Sequence, residues 1–211
     1  VIRYCLLFLL FCHSVTASQL SVNVVDDSGN KVAFAAITLT PADENTPATR
    51  HHSKDSVETM AQINEQFMPY VLVISPGTKV EFPNRDNIKH HVYSFSEAKT
   101  FELELYDDFD GTPVTFENTG IVEVGCNIHD WMLAYIYVTD APFYGATKED
   151  GMASLTLPDG QYNARIWHPN LDRREGNKDY RVMVKGNTTV SLALSYPLLE
   201  GFDFSSGFSD Y

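Results

Sequence analysis

The sequence predicts an all-β protein built as a sandwich, and three observations carry that expectation. Apolar and polar residues alternate with a period of two along much of the chain, as a half-buried strand requires. The 3.6-residue period of an amphipathic helix is almost absent. The alternating runs are short, and turn-forming clusters bound them: Ser75-Pro76-Gly77, Asp110-Gly111, Asp150-Gly151, Asp159-Gly160 and Gly186-Asn187.

Residues 1–17 precede this pattern and read as a secretory signal peptide. Arg3 supplies the positive start, Leu6 to Phe11 the apolar stretch, and Val15-Thr16-Ala17 a cleavage site before Ser18. The apolar stretch is too short to span a bilayer. Export to the periplasm is therefore expected, with no integral membrane segment in the mature chain. The formal net charge of −13 argues against nucleic acid and anionic membrane surfaces, and is compatible with a basic protein partner.

The strands follow in order. Val80 and Phe82 share one face, and Lys79 with Glu81 the other. Lys89 to Phe95 is a strand with apolar residues on both faces, His90 being in phase with Val92 and His91 with Tyr93 and Phe95. Phe101, Leu103 and Leu105 alternate with Glu102 and Glu104. Cys126 is in phase with Val122 and Val124, so its sulfur is expected to point inward at a strand end. Leu133 to Val138 resumes as a strand, His168 ends one, and Val182, Val184, Val190, Leu192 and Leu194 complete the pattern. Between these runs, residues 46–59 are polar and read as a linker, with His51 and His52 as solvated loop residues. Asp107 to Gly111 lacks the distal glutamate of a calcium loop and reads as an acidic turn. Residues 196–211 are aromatic and acidic and read as a tail or an edge segment.

The chemistry concentrates in one loop. Of three cysteines, Cys5 and Cys12 lie in the signal peptide, which leaves Cys126 as a lone thiol in an oxidising compartment. Within seven residues, Cys126, His129 and Met132 offer a thiolate, an imidazole and a thioether. A second imidazole is available from His90 or His91. Two histidines and a cysteine with a weak axial methionine form the donor set of an electron-transfer copper site. A buried thiolate needs a cation beside it, which a metal provides.

The segment Val80-Glu81-Phe82-Pro83-Asn84 to His90-His91-Val92, followed by Cys126-x-x-His129-x-x-Met132, resembles the cupredoxins, with amicyanin and plastocyanin the most similar among them. The resemblance covers roughly residues 60–140 and implies a Greek-key β-sandwich. It also implies one type 1 copper ion held by His90, Cys126, His129 and Met132. The family usually has Asn after the first ligand histidine, where this chain has His91, and often Pro before it, where this chain has Lys89. Two flanking segments resemble carboxypeptidase-regulatory-like, transthyretin-like β-domains: Val25-Asp26-Asp27-Ser28-Gly29-Asn30 to Leu39, and Thr147 to Tyr162. The expected organisation is a second sandwich of that type, made of residues 18–45 and 141–195, with the cupredoxin domain inserted at 60–140. The order of parts is similar to that of exported methylamine-utilisation proteins.

The function this implies is a periplasmic blue copper protein passing single electrons between protein redox partners. Copper storage or delivery, with His51, His52 and His91 as accessory donors, is the first alternative. A structural β-protein whose site is empty or holds zinc is the second. An enzyme is not expected, because four protein ligands leave no open position for substrate. The chain also lacks a Gly-x-Ser-x-Gly elbow and a phosphate-binding glycine loop.

Overall fold

Alternation is realised as strands throughout, and the described residues contain no helix. The computed structural model describes residues 17–44, 46, 48, 56–107, 113–172, 174–175 and 178–199. The apolar stretch of the signal peptide, the pair His51-His52, the acidic turn beyond Asp107 and residues 200–211 lie outside the described residues. Two strands come first, β1 (Ala17–Val25) and β2 (Ala36–Pro41). Then follow β3 (Val57–Thr59), β4 (Ala61–Gln62), β5 (Phe67–Met68), β6 (Val71–Ile74), β7 (Thr78–Glu81), β8 (His90–Ser96), β9 (Lys99–Tyr106), β10 (Val114–Phe116), β11 (Gly120–Cys126) and β12 (Leu133–Val138). The last group is β13 (Phe143–Ala146), β14 (Met152–Pro158), β15 (Gly160–Trp167), β16 (Tyr180–Val184) and β17 (Thr188–Ala193).

These strands enclose two separate apolar cores. The first and last groups form the sheets β14-β1-β17 and β13-β2-β15-β16, which bury Leu20, Val22, Ile37, Leu39, Tyr162 and Ile166 between them. The middle group forms the sheets β6-β12-β11-β8-β9 and β10-β7-β3, with the small hairpin β4-β5 alongside. Its core contains Met60, Phe82, Phe116, Val122, Val124 and Ile136. Aromatic rings join the two sandwiches: Trp167 lies 5.5 Å from Tyr135 and 5.7 Å from Tyr137, and Phe34 lies 5.7 Å from Tyr70.

Two details depart from the sequence reading. Val57–Thr59, inside the expected linker, pairs in parallel with Lys79–Glu81 as an edge strand. All three residues are exposed, so no apolar alternation marks them. Leu105, in phase with Phe101 and Leu103 in the sequence, is 51% exposed. The cause is a bulge. His90 pairs with Tyr106 and Val92 with Leu103, so Glu104 and Leu105 together oppose His91. The extra residue turns Leu105 outward and brings Tyr106 against the inner core.

Candidate metal centre

The period of two aims Cys126 inward at the end of β11, where it is buried with Val122 and Val124. Beyond it the chain makes a tight loop. The Cys126 N–H donates to the Met132 carbonyl at 3.2 Å, and the Met132 N–H donates to the His129 carbonyl at 2.9 Å. The Asn127 N–H donates to the His91 carbonyl at 3.1 Å, which ties this loop to the start of β8. On β8 the inward face carries His90, Val92 and Ser94, all buried. The outward face carries His91, Tyr93 and Phe95, the last 81% exposed.

This placement sets two imidazoles against one sulfur. Cys126 Sγ lies 3.8 Å from His90 Nδ1 and 3.7 Å from His129 Nδ1, and the two rings are 5.0 Å apart. The three donor atoms all lie within 4.8 Å of one another. Met132 is buried and lines, with Cys126, a cavity of about 550 Å³. His91 is not part of this cluster: its Nε2 lies 2.9 Å from Glu102 Oε1, and its Nδ1 is 3.5 Å from Asn127 Nδ2.

The donor set fits a single ion. With bonds of about 2.3 Å to sulfur and about 2.0 Å to nitrogen, ligands 120° apart about one centre are separated by about 3.7 Å. Both sulfur–nitrogen distances match that spacing. The hydrogen bonding of His90 fits the same arrangement. His90 Nε2 lies 2.8 Å from Asp86 Oδ2, so the N–H of the neutral ring is committed there and the Nδ1 lone pair faces the sulfur. A cation amid the sulfur and the two nitrogens would be held by all three, with the cysteine as thiolate.

Asp86 is the residue that sequence reading missed. Burial pushes its carboxyl pKa up, but hydrogen bonds from the Glu65 N–H, the His90 ring and the Asn64 N–H outweigh this and hold it below the ordinary value. The available signal was an acid four residues before the histidine, a spacing that carries little weight in a loop. Trp131 packs against the inner core with its ring 5.1 Å from His129. It also lines a cavity of about 400 Å³ between the two sandwiches, with Phe34, Tyr70, Met132 and His168.

No family model and no curated protein matches this chain. Several solved structures are similar to part of it. A copper-containing nitrite reductase from Thermus scotoductus SA-01 is 26% identical over 39% of this chain, with a TM-score of 0.37. That match spans 22% of the reductase, so the chain covers about a fifth of its length. A purple cupredoxin from Nitrosopumilus maritimus is 21% identical over 39% of this chain and 99% of its own, with a TM-score of 0.35. A reduced amicyanin variant is 17% identical over 48% of this chain and 99% of its own, with a TM-score of 0.37.

Proposed function

We propose that this chain is a one-copper electron carrier of the type 1 class, with His90, Cys126 and His129 as the strong ligands and Met132 as the weak axial one. One observation carries the reading: a buried cysteine sulfur faces two imidazole nitrogens at 3.7 and 3.8 Å. Copper bound there would supply a one-electron couple between Cu(I) and Cu(II). The protein's part is to hold the donors still. Paired strands fix Cys126 and His90, and the hydrogen-bonded loop fixes His129 and Met132. His129 is half-buried, unlike His90, and is therefore the route by which an electron reaches the surface.

Four protein ligands would fill the coordination sphere, so the chain acts as a carrier between protein partners and not as an enzyme. The excess of acidic residues favours a positively charged partner. Export to the periplasm follows from the signal-peptide reading. The outer sandwich is a carboxypeptidase-regulatory-like scaffold that carries the copper sandwich. The test is an absorption and electron paramagnetic resonance spectrum of the Cu(II)-loaded chain, followed by voltammetry. A strong visible thiolate-to-copper band and a reversible one-electron wave are expected. A colourless chain that retains zinc in preference to copper would overturn the proposal.

A further inference from the structure

We propose that Asp86 is a positioning residue of this centre: it holds the His90 ring in the one tautomer and orientation that present Nδ1 to the ion. The proposal rests on the copper reading above for its electronic consequence, but not for its geometry. The His90 side chain is fully buried, and its Nε2 lies 2.8 Å from Asp86 Oδ2. A neutral imidazole carries one N–H and one lone pair. A carboxylate at Nε2 keeps the N–H there and leaves the lone pair on Nδ1, the atom 3.8 Å from Cys126 Sγ.

The carboxylate is itself immobilised. Its Oδ1 accepts the Asn64 N–H at 2.6 Å and its Oδ2 the Glu65 N–H at 2.9 Å. Asn64 and Glu65 are the two central residues of the β4–β5 hairpin turn, with φ of 53° and 57°. That left-handed pair is the geometry of a tight two-residue hairpin, and it turns both N–H groups toward Asp86. From the other side, the Asp86 N–H donates to Asn84 Oδ1 at 2.9 Å, and Asn84 Nδ2 donates to the Ile88 carbonyl at 2.8 Å and the Tyr106 carbonyl at 3.2 Å. His90 is thus oriented by a continuous set of hydrogen bonds reaching from the hairpin and from β9. A carboxylate on the far nitrogen also makes an imidazole a stronger donor, which favours the more highly charged state of a bound ion.

The full chain is compared with its Asp86→Asn and Asp86→Ala variants. In the metal-free proteins, nitrogen NMR reads the His90 tautomer. The wild type is expected to hold the proton on Nε2, and Asp86→Ala to mix the two forms. With Cu(II) loaded, Asp86→Ala should bind copper about 10–100-fold more weakly. Asp86→Asn keeps one acceptor oxygen, which at the Oδ2 position still accepts from His90 and the Glu65 N–H, but it loses the charge and the acceptor for the Asn64 N–H. It should keep the tautomer and the visible band while the reduction potential rises, a change that a merely structural role would not produce. An Nδ1–H tautomer in the wild type overturns the proposal. So does an unchanged tautomer in Asp86→Ala, or an unchanged potential in Asp86→Asn. Failure of the wild type to take copper counts against the copper reading, while the metal-free tautomer measurement still decides the role of Asp86. If Asp86→Ala does not fold, the wild-type tautomer and the Asp86→Asn potential remain decisive.

Discussion

A β-carbon on Gly125 would stand 3.1 Å from Cζ of Tyr93 and 3.2 Å from its hydroxyl oxygen, because the phenol ring crosses the backbone one residue before Cys126. The two residues are register partners on β11 and β8. The contact is with the far end of a side chain, so Gly125→Ala is expected to displace the ring and leave the strand in place. Overpacking costs about 1–3 kcal/mol, and the stiffer unfolded chain returns about 0.4–1 kcal/mol. A net loss of about 1 kcal/mol should appear in denaturant melts. Adding Tyr93→Ala should remove the clash, and a double-mutant cycle without coupling would show that the two do not meet.

Cys126→Ser is expected to abolish the visible band and most of the Cu(II) affinity, because the thiolate is the softest donor and the source of the charge-transfer colour. Absorption after copper titration reads both. An intense band surviving in this variant would exclude Cys126 as a ligand.

His90→Ala should lose the type 1 spectrum, whereas His91→Ala should keep it. His91 faces Glu102 at 2.9 Å and stands outside the donor cluster. The outcome to look for against this is the reverse one, colour lost with His91 and kept without His90.

Met132→Leu should leave copper bound and raise the reduction potential. Removing an electron donor, even a weak axial one, destabilises Cu(II) more than Cu(I). An unmoved potential in protein voltammetry would make Met132 a core residue only.

Stability should fall on acidification through His168. Burial lowers its pKa to about 4, outweighing the hydrogen bond with Ala33. Its Nδ1 accepts the Asn170 N–H at 3.1 Å, which requires the neutral ring. Above the unfolded-chain value of about 6.5 both states are neutral there and the contribution is intact. As pH falls from about 6.5 to about 4, only the unfolded chain takes up the proton, and about 3 kcal/mol is lost. His168→Gln should flatten that part of a pH series of denaturant melts. An equally steep series in the variant would place the acid sensitivity elsewhere.

The all-β class was legible because alternation and turn clusters are properties of the backbone period itself. The inward aim of Cys126 was legible for the same reason, since Val122 and Val124 share its phase. Alternation did not separate His90 from His91, because both faces of β8 are apolar in sequence, and only the family resemblance implied His90. The hydroxyl of buried Ser94 and the exposure of Phe95 invert what hydropathy alone would assign. The bulge at Glu104 and Leu105 left no mark either, since an inserted residue keeps local alternation and changes only the pairing. Asp86 was hidden because its partners, the Asn64 and Glu65 N–H groups and the His90 ring, meet only when a distant hairpin folds over the loop.

Strands β2 and β13 are antiparallel neighbours, with Leu39 opposite Phe143. To the outer sandwich they are the two arms of one hairpin, and the roughly hundred residues between them are its loop. A floppy loop of that length would oppose the pairing of its arms through the entropy of ring closure. Here the loop has its own core, and a folded insert leaves less free chain to close when the two arms pair. The half of the chain that carries Cys126 is therefore also a clasp. Its order lowers the cost of assembling the half that surrounds it in sequence.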